Sequence, residues 1–278
     1  MPDPLYLDRD GHRTWLKWHR ARRRAADPVF SRSRILEGMR LGASVEVDLV
    51  VHGGGGMAVL HNLTLEEETT GSGPVRDADA ATLRALHLRA NDGRVLPERV
   101  MLLEDLCAEL RQDPPHGLAL LQLDFKEDMA ALDARTVTAF GEAIGDLGPH
   151  IILSGGDIDA VLALVGAAPG VRMGYDPCHG GSLAALRASG DFAGWIAEAL
   201  AAAPGAELIY LAHEIVLAAE DAGVDLIGLV HEAGRRVDAY TIRRVTPESL
   251  RLAARLVALK ADQITTDDPE GLAAAMTQ

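Results

Sequence analysis

The stretch SVEVDLVV, Ser44 to Val51, and its later counterpart LLQLDFK, Leu120 to Lys126, each carry two charged residues two positions apart. Side chains alternate across a β-strand, so Glu46 and Asp48 share one face of the first stretch, and Asp124 and Lys126 share one face of the second. Val45, Val47, Leu49, Leu123 and Phe125 fill the opposite faces. Burying two carboxylates side by side without a counter-charge is costly. An apolar strand that does so implies a compensating cation. A third carboxylate with a neighbouring lysine implies a metal bound together with an anion, and phosphate is the anion expected.

On both sides of these stretches, apolar β-like runs alternate with Ala/Leu-rich helical runs, the signature of βα units around a parallel sheet. The candidate strands are Trp15–Trp18, Ser44–Val51, Leu118–Phe125, Ile151–Leu153, Val171–Tyr175, Glu207–Leu211, Arg236–Thr241 and Gln263–Ile264. Helical patterns over 129–144, 158–164 and 247–259 lie between them. Eight such strands predict an α/β fold of the (β/α)8, or TIM, barrel type, which commonly takes about 250 residues as one domain. Residues 1–278 are therefore read as a single barrel domain. The alternation breaks after Val51, where HGGGG (His52–Gly56) leads into a short strand, Met57–Leu60, and a polar stretch to about Val75. The glycines permit a tight reversal, so a small hairpin and loop insertion at about residues 52–76 is expected at the C-terminal mouth of the barrel. His19, Asp48, Lys126, Ser154, Asp176 and Thr241 fall at or just beyond predicted strand ends, where barrel active sites lie.

Composition narrows the classes. The net charge of −14 disfavours nonspecific binding to nucleic acid or anionic lipid, because the overall field repels polyanions. No apolar run approaches the roughly 18 residues of a membrane span, so integral membrane association is not expected. The N-terminal stretch MPDPLYLDRDGHRTW mixes charges of both signs and has no continuous apolar core, so a cytoplasmic location is expected. Cys107 and Cys178 have neither disulfide-framework nor zinc-site spacing, and Cys107 reads as a buried helix residue. No feature specifies an oligomeric state.

His19 and Arg20 close the first strand in WLKWHRA, and His61 with Asn62 closes the hairpin in MAVLHN. Imidazole titrates near neutral pH, so two histidines at strand ends facing one mouth make an acid/base pair. The order of these motifs resembles the glycerophosphodiester phosphodiesterase family. The likeness is carried by His19–Arg20, by LGASVEVDL from Leu41, by HNLTL from His61 and by TTGSGPV from Thr69. QLDFK, HEAGRRVDAYTI (His231 to Ile242) and ADQITTDDP (Ala261 to Pro269) resemble that family's later strands.

The resemblance implies a metal-dependent enzyme that cleaves small phosphodiesters to glycerol phosphate and an alcohol. In it Glu46, Asp48 and Asp124 would bind a divalent cation, Mg²⁺ or Ca²⁺; His19 and His61 would form the acid/base pair; Arg20 and Lys126 would hold the phosphate. Two routes stay open: attack by the adjacent glycerol hydroxyl through a cyclic phosphate, or direct attack by water. The alternatives are a lysophospholipase-D or sphingomyelinase-D-like lipid activity, and a catalytically silent phosphate-binding barrel.

The chain departs from the family pattern at named places. Asn62 stands where Asp is usual, Asp124 where Glu is usual, and the basic run Ala21–Arg34 replaces a Glu-Asn-Thr motif. Tyr240 replaces Trp and Arg243 replaces Asn. Tyr240 reads either as a contact to the alcohol or as a barrel-wall aromatic, and Arg243 either as an anion contact or as a solvated charge. Arg22, Arg23 and Arg24 read as a solvated face, or as a cationic collar for phosphate substrates. Asp176, Cys178, His179 and His213 are pocket candidates by position alone.

Overall fold

In the computed structural model, which describes residues 5–277, strands and helices alternate as the sequence pattern predicts. Residues 1–4, where the N-terminal stretch discussed above begins, and residue 278 lie outside the described residues. The strands are β1 (Tyr6–Arg9), β2 (His12–Trp18), β3 (Ser44–Val51), β4 (Met57–Val59), β5 (His87–Arg89) and β6 (Val95–Arg99), followed by β7 (Leu120–Phe125), β8 (Ile151–Gly155), β9 (Arg172–Tyr175), β10 (Leu208–Ala212), β11 (Arg236–Ile242) and β12 (Gln263–Thr266). Strands β2, β3 and β7 to β12 form a closed eight-stranded parallel barrel. All eight predicted barrel strands are present, and β3 has the predicted bounds. By contact, the chain divides into two compact units.

One unit comprises residues 20–22 and 26–172. In it β3 and β7 run parallel, with Glu46 opposite Gln122 and Asp48 opposite Asp124, while β7 and β8 place Asp124 opposite Ser154. Every residue of β3 is buried, as expected for a strand covered on both faces. The helices Leu103–Gln112 and Ala134–Ile144 bury apolar residues three and four positions apart: Leu103, Leu106, Cys107 and Leu110 on the first, Phe140 and Ile144 on the second. The second helix starts where Asp133 accepts the Thr136 N–H at 2.7 Å. Phe140 is 1% exposed, so Phe140→Ala should cost about 3–5 kcal/mol.

β3 turns back as β4, with Leu49 opposite Val59 and Val51 opposite Met57. In the turn, His52 N–H donates to the Gly56 carbonyl and Gly55 N–H donates to the His52 carbonyl. Gly55 has φ +77°, and a Cβ on Gly54 or Gly56 would come within 2.7 Å of the His52 ring, so the run needs its glycines.

Past Val75 the chain forms a second hairpin, β5 with β6, which the sequence pattern did not reveal. It is held to the preceding loop by Thr70 N–H to the His87 carbonyl and Arg89 N–H to the Glu68 carbonyl. HLR is too short to show a period, and Pro97 within VLPER argues against a strand on local grounds.

The other unit comprises Arg23–Ala25, the described residues up to His19 and those from Met173 onward. Its core holds a buried ion pair: Lys17 Nζ lies 2.9 Å from Asp238 Oδ2, with side chains 2% and 0% exposed. The Thr265 hydroxyl donates to Asp238 at 2.6 Å, and the Tyr210 ring centre lies 4.4 Å from Lys17 Nζ. Such a pair adds little net stability over an apolar replacement, but breaking it is costly.

Candidate metal centre and phosphate site

The register of β3 against β7 sets Asp124 opposite Asp48, and Glu46 stands two positions earlier on the same face as Asp48. Oxygen atoms of the three carboxylates lie within 4.8 Å of one another. Glu46 and Asp48 are buried and Asp124 is half-buried. Three of the expected site residues thus form one cluster.

Asp48 carries the strongest signal. Its Oδ1 lies 2.7 Å from Lys126 Nζ and its Oδ2 lies 3.1 Å from Arg20 Nε, yet neither oxygen receives a contact with hydrogen-bonding geometry. Burial, and after it the Glu46 carboxylate, push the Asp48 carboxyl up to about 7, against the pull of Lys126 and Arg20. Burial also opposes the Lys126 ammonium, but Asp124, Asp48 and Glu46 outweigh it and hold the lysine protonated above its ordinary range. Three carboxylates facing two cations leave the cluster short of positive charge. An all-oxygen donor set with a buried, hydrogen-bond-free carboxylate fits a hard divalent cation.

Arg20 enters this cluster through its backbone as well as its side chain. With φ 51° and ψ 40° it sits in the left-handed region just past β2, and its N–H donates to Glu46 Oε2 at 2.6 Å. Lys126 follows β7 directly and also donates to Asp124 Oδ2. Asp124 Oδ1 accepts the Ser154 hydroxyl at 2.7 Å, and Ser154 Oγ in turn accepts Gln122 Nε2 at 2.8 Å. Ser154 was a strand-end candidate without a role. Gln122 was missed, and its only signal was its place two residues before Asp124 on the same face.

His61 follows β4 and, with Arg20, Asn62, Glu67 and Arg89, lines a cavity of about 640 Å³. Its Nδ1 lies 2.8 Å from Asn62 Oδ1. Glu68 Oε2 accepts the backbone N–H of His61 at 3.0 Å and of Asn62 at 2.7 Å, which anchors the hairpin exit. A larger groove of about 1040 Å³, lined by His52, Arg111 and Arg135 among others, does not contain His61, and Glu46, Asp48 and Asp124 line neither cavity.

His19, Tyr240 and Arg243 belong to the other unit. His19 Nδ1 lies 2.6 Å from Asp267 Oδ1, just past β12. A carboxylate accepts only, so it holds a proton on Nδ1 and orients the ring. Asp267 was not singled out from the sequence, although it lies in the ADQITTDDP motif. The Tyr240 hydroxyl donates to Asp176 Oδ2 at 2.9 Å, and burial, followed by the Asp176 charge, pushes its phenol up. Arg243 is exposed and lines a cleft of about 370 Å³ with His213. Burial pushes the Cys178 thiol up to about 12, which leaves it a poor nucleophile.

In the basic run Arg24 is exposed, as a solvated face requires, and Arg23 is half-buried. Arg22 is buried, while Arg23 and Arg24 both donate to Glu270, at 2.8 and 2.7 Å. Their carboxylate partner lies near the other end of the chain, beyond the reach of a local pattern.

Comparison with known proteins agrees with this architecture. The model of the glycerophosphoryl diester phosphodiesterase family matches residues 36–271. Among solved structures, a glycerophosphoryl diester phosphodiesterase from Parabacteroides distasonis is 18% identical, covering 98% of this chain and 89% of its own at a TM-score of 0.66. A glycerophosphodiester phosphodiesterase from Agrobacterium tumefaciens is 17% identical, with coverages of 94% and 99% and a TM-score of 0.66. A phosphodiesterase from Oleispira antarctica, solved with the product sn-glycerol-3-phosphate, is 17% identical, with coverages of 95% and 96% and a TM-score of 0.63. At these identities the structural likeness speaks for the fold. No curated protein matches the chain.

Proposed function

Because the chain belongs to the glycerophosphoryl diester phosphodiesterase family, a family of phosphoric diester hydrolases, we propose that it converts small glycerophosphodiesters to glycerol phosphate and an alcohol, using Mg²⁺ or Ca²⁺. The observation that carries this reading is the buried Asp48 carboxylate, which stands beside Glu46 and Asp124 without a hydrogen bond and between two cationic side chains.

Glu46, Asp48 and Asp124 would hold the divalent ion, which when bound draws electron density from a phosphoryl oxygen as a Lewis acid. Arg20 and Lys126 take the remaining phosphoryl charge, which grows as the leaving oxygen departs. Of His19 and His61, one removes the proton from the attacking oxygen, and the other, protonated, gives its proton to the alkoxide as the P–O bond breaks. The attacking oxygen is the adjacent glycerol hydroxyl, with water later opening a cyclic phosphate, or it is water itself. Either route consumes one water: in the cyclic route the two imidazoles exchange roles when water opens the ring and so return to their starting states, whereas after direct attack a proton must pass through solvent from the base to the acid to reset them. The Oleispira relative was solved with sn-glycerol-3-phosphate, the kind of product this scheme yields.

The cavity beside His61 has a largely polar lining, which favours a soluble substrate over a lipid. No helix among the described residues is long and apolar enough to cross a membrane. The proposal also keeps the protein in the cytoplasm, which cell fractionation tests.

The test of function is a panel of water-soluble glycerophosphodiesters and lysolipid vesicles, each with Mg²⁺, Ca²⁺ or EDTA. Release of glycerol phosphate from the soluble diesters, lost in EDTA, is expected. Preference for the vesicles would favour the lipid alternative, and metal binding without turnover of either would mark a silent barrel.

A further inference from the structure

We propose that Glu67 is a positioning residue: it holds His61 in one tautomer by fixing which way the Asn62 amide faces. This inference rests on the acid/base role proposed above for His61 and takes His61 as the base of the pair. His61 Nδ1 lies 2.8 Å from Asn62 Oδ1, and Asn62 Nδ2 donates to Glu67 Oε2 at 2.8 Å. A carboxylate only accepts hydrogen bonds, so Glu67 takes the NH₂ end of the amide and turns the carbonyl end towards the imidazole. The amide carbonyl also only accepts. The proton of neutral His61 therefore stays on Nδ1, and the lone pair needed by a base stays on Nε2.

The backbone beneath the pair is held independently, because the buried Glu68 carboxylate accepts the N–H groups of both His61 and Asn62. Rotation of the amide is thus the freedom left to control. An aspartate at this position, as the family pattern has it, would need no helper, since both of its oxygens accept and a half-turn changes nothing. An asparagine does need one. Turned over, it would present NH₂ to Nδ1, drive the proton to Nε2 and remove the base. Glu67 restores the direction that an aspartate has by symmetry.

The test pairs the ring-nitrogen signals of His61, read by long-range ¹H–¹⁵N NMR on the full chain with the imidazole neutral, with steady-state kinetics on a soluble glycerophosphodiester. In Glu67→Ala the His61 signals should move from the Nδ1–H pattern to a mixture of tautomers. Turnover should fall roughly five- to tenfold with KM little changed, the scale of one exposed hydrogen bond. In an Asn62→Asp background the same Glu67→Ala change should alter neither measurement. Unmoved nitrogen signals in Glu67→Ala, or an equal loss of kcat in both backgrounds, would overturn the proposal and leave Glu67 an ordinary loop residue. Shifted signals with wild-type turnover would uphold the amide-holding role and instead remove His61 from the chemistry.

Discussion

Asp48 on β3 and Asp124 on β7 are register partners on adjacent parallel strands, and Glu46 joins them from two positions earlier on β3. Like charges set side by side in a buried place repel unless a cation lies among them. Mg²⁺ or Ca²⁺ should therefore stabilise the fold. At a metal concentration 100 times Kd the gain is about 2.7 kcal/mol, and for a chain of this size that raises Tm by about 5 °C. Asp48→Asn should lose most of this shift in calorimetric scans with and without metal. A wild-type shift in that variant removes Asp48 from the centre.

His19 and Asp267 should act as one unit. The 2.6 Å contact between Nδ1 and the carboxylate fixes the ring, so Asp267→Ala should lower kcat by about 10–100-fold. His19→Ala should lower it by about 100-fold or more. Combining the two should be little worse than His19→Ala alone, since the carboxylate works through the imidazole. Fully additive losses in the double variant would show that Asp267 serves something else.

Burial pushes the Cys107 and Cys178 thiols up to about 12, from the 9.0 of an exposed thiol. The folded state then keeps protons that the unfolded chain releases, so this contribution to stability is intact below about pH 9 and is lost as pH rises towards 12. Native protein at pH 8 should leave both thiols unmodified by an aromatic disulfide reagent, and urea-unfolded protein should titrate two. Rapid labelling of the native chain is the contrary result.

The Lys17–Asp238 pair should matter to stability mainly when one partner is removed. Asp238→Ala strands a buried ammonium and should cost about 3–5 kcal/mol by urea unfolding. Lys17→Met combined with Asp238→Leu should cost less than Asp238→Ala alone. A double variant as unstable as the sum of its parts contradicts the account given for the pair.

The strand order and the same-face pairs of charged residues were legible because both rest on short-range geometry. Period two in SVEVDLVV sets Glu46 and Asp48 on one face whatever the rest of the chain does, and β3 folds with the predicted bounds. The β5–β6 hairpin was not legible, because its short strands carry a proline and little periodicity, and it is held by backbone bonds to a loop. The Arg23 and Arg24 pairing was hidden for a different reason: Glu270 lies 247 and 246 residues away.

From the chain alone came the order of strands and helices, the same-face acids, and the types of residue the site would use, since alternation and capping follow from each residue's own backbone. Tertiary structure decided which groups meet. The register that puts Asp124 against Asp48 and Ser154, and the choice of Asp267 for His19 and of Asp176 for Tyr240, emerge only when distant strands pack and pair. A side chain's facing direction is a local property, whereas its neighbour is chosen by the whole fold, through the free energy of closing long loops around a shared core.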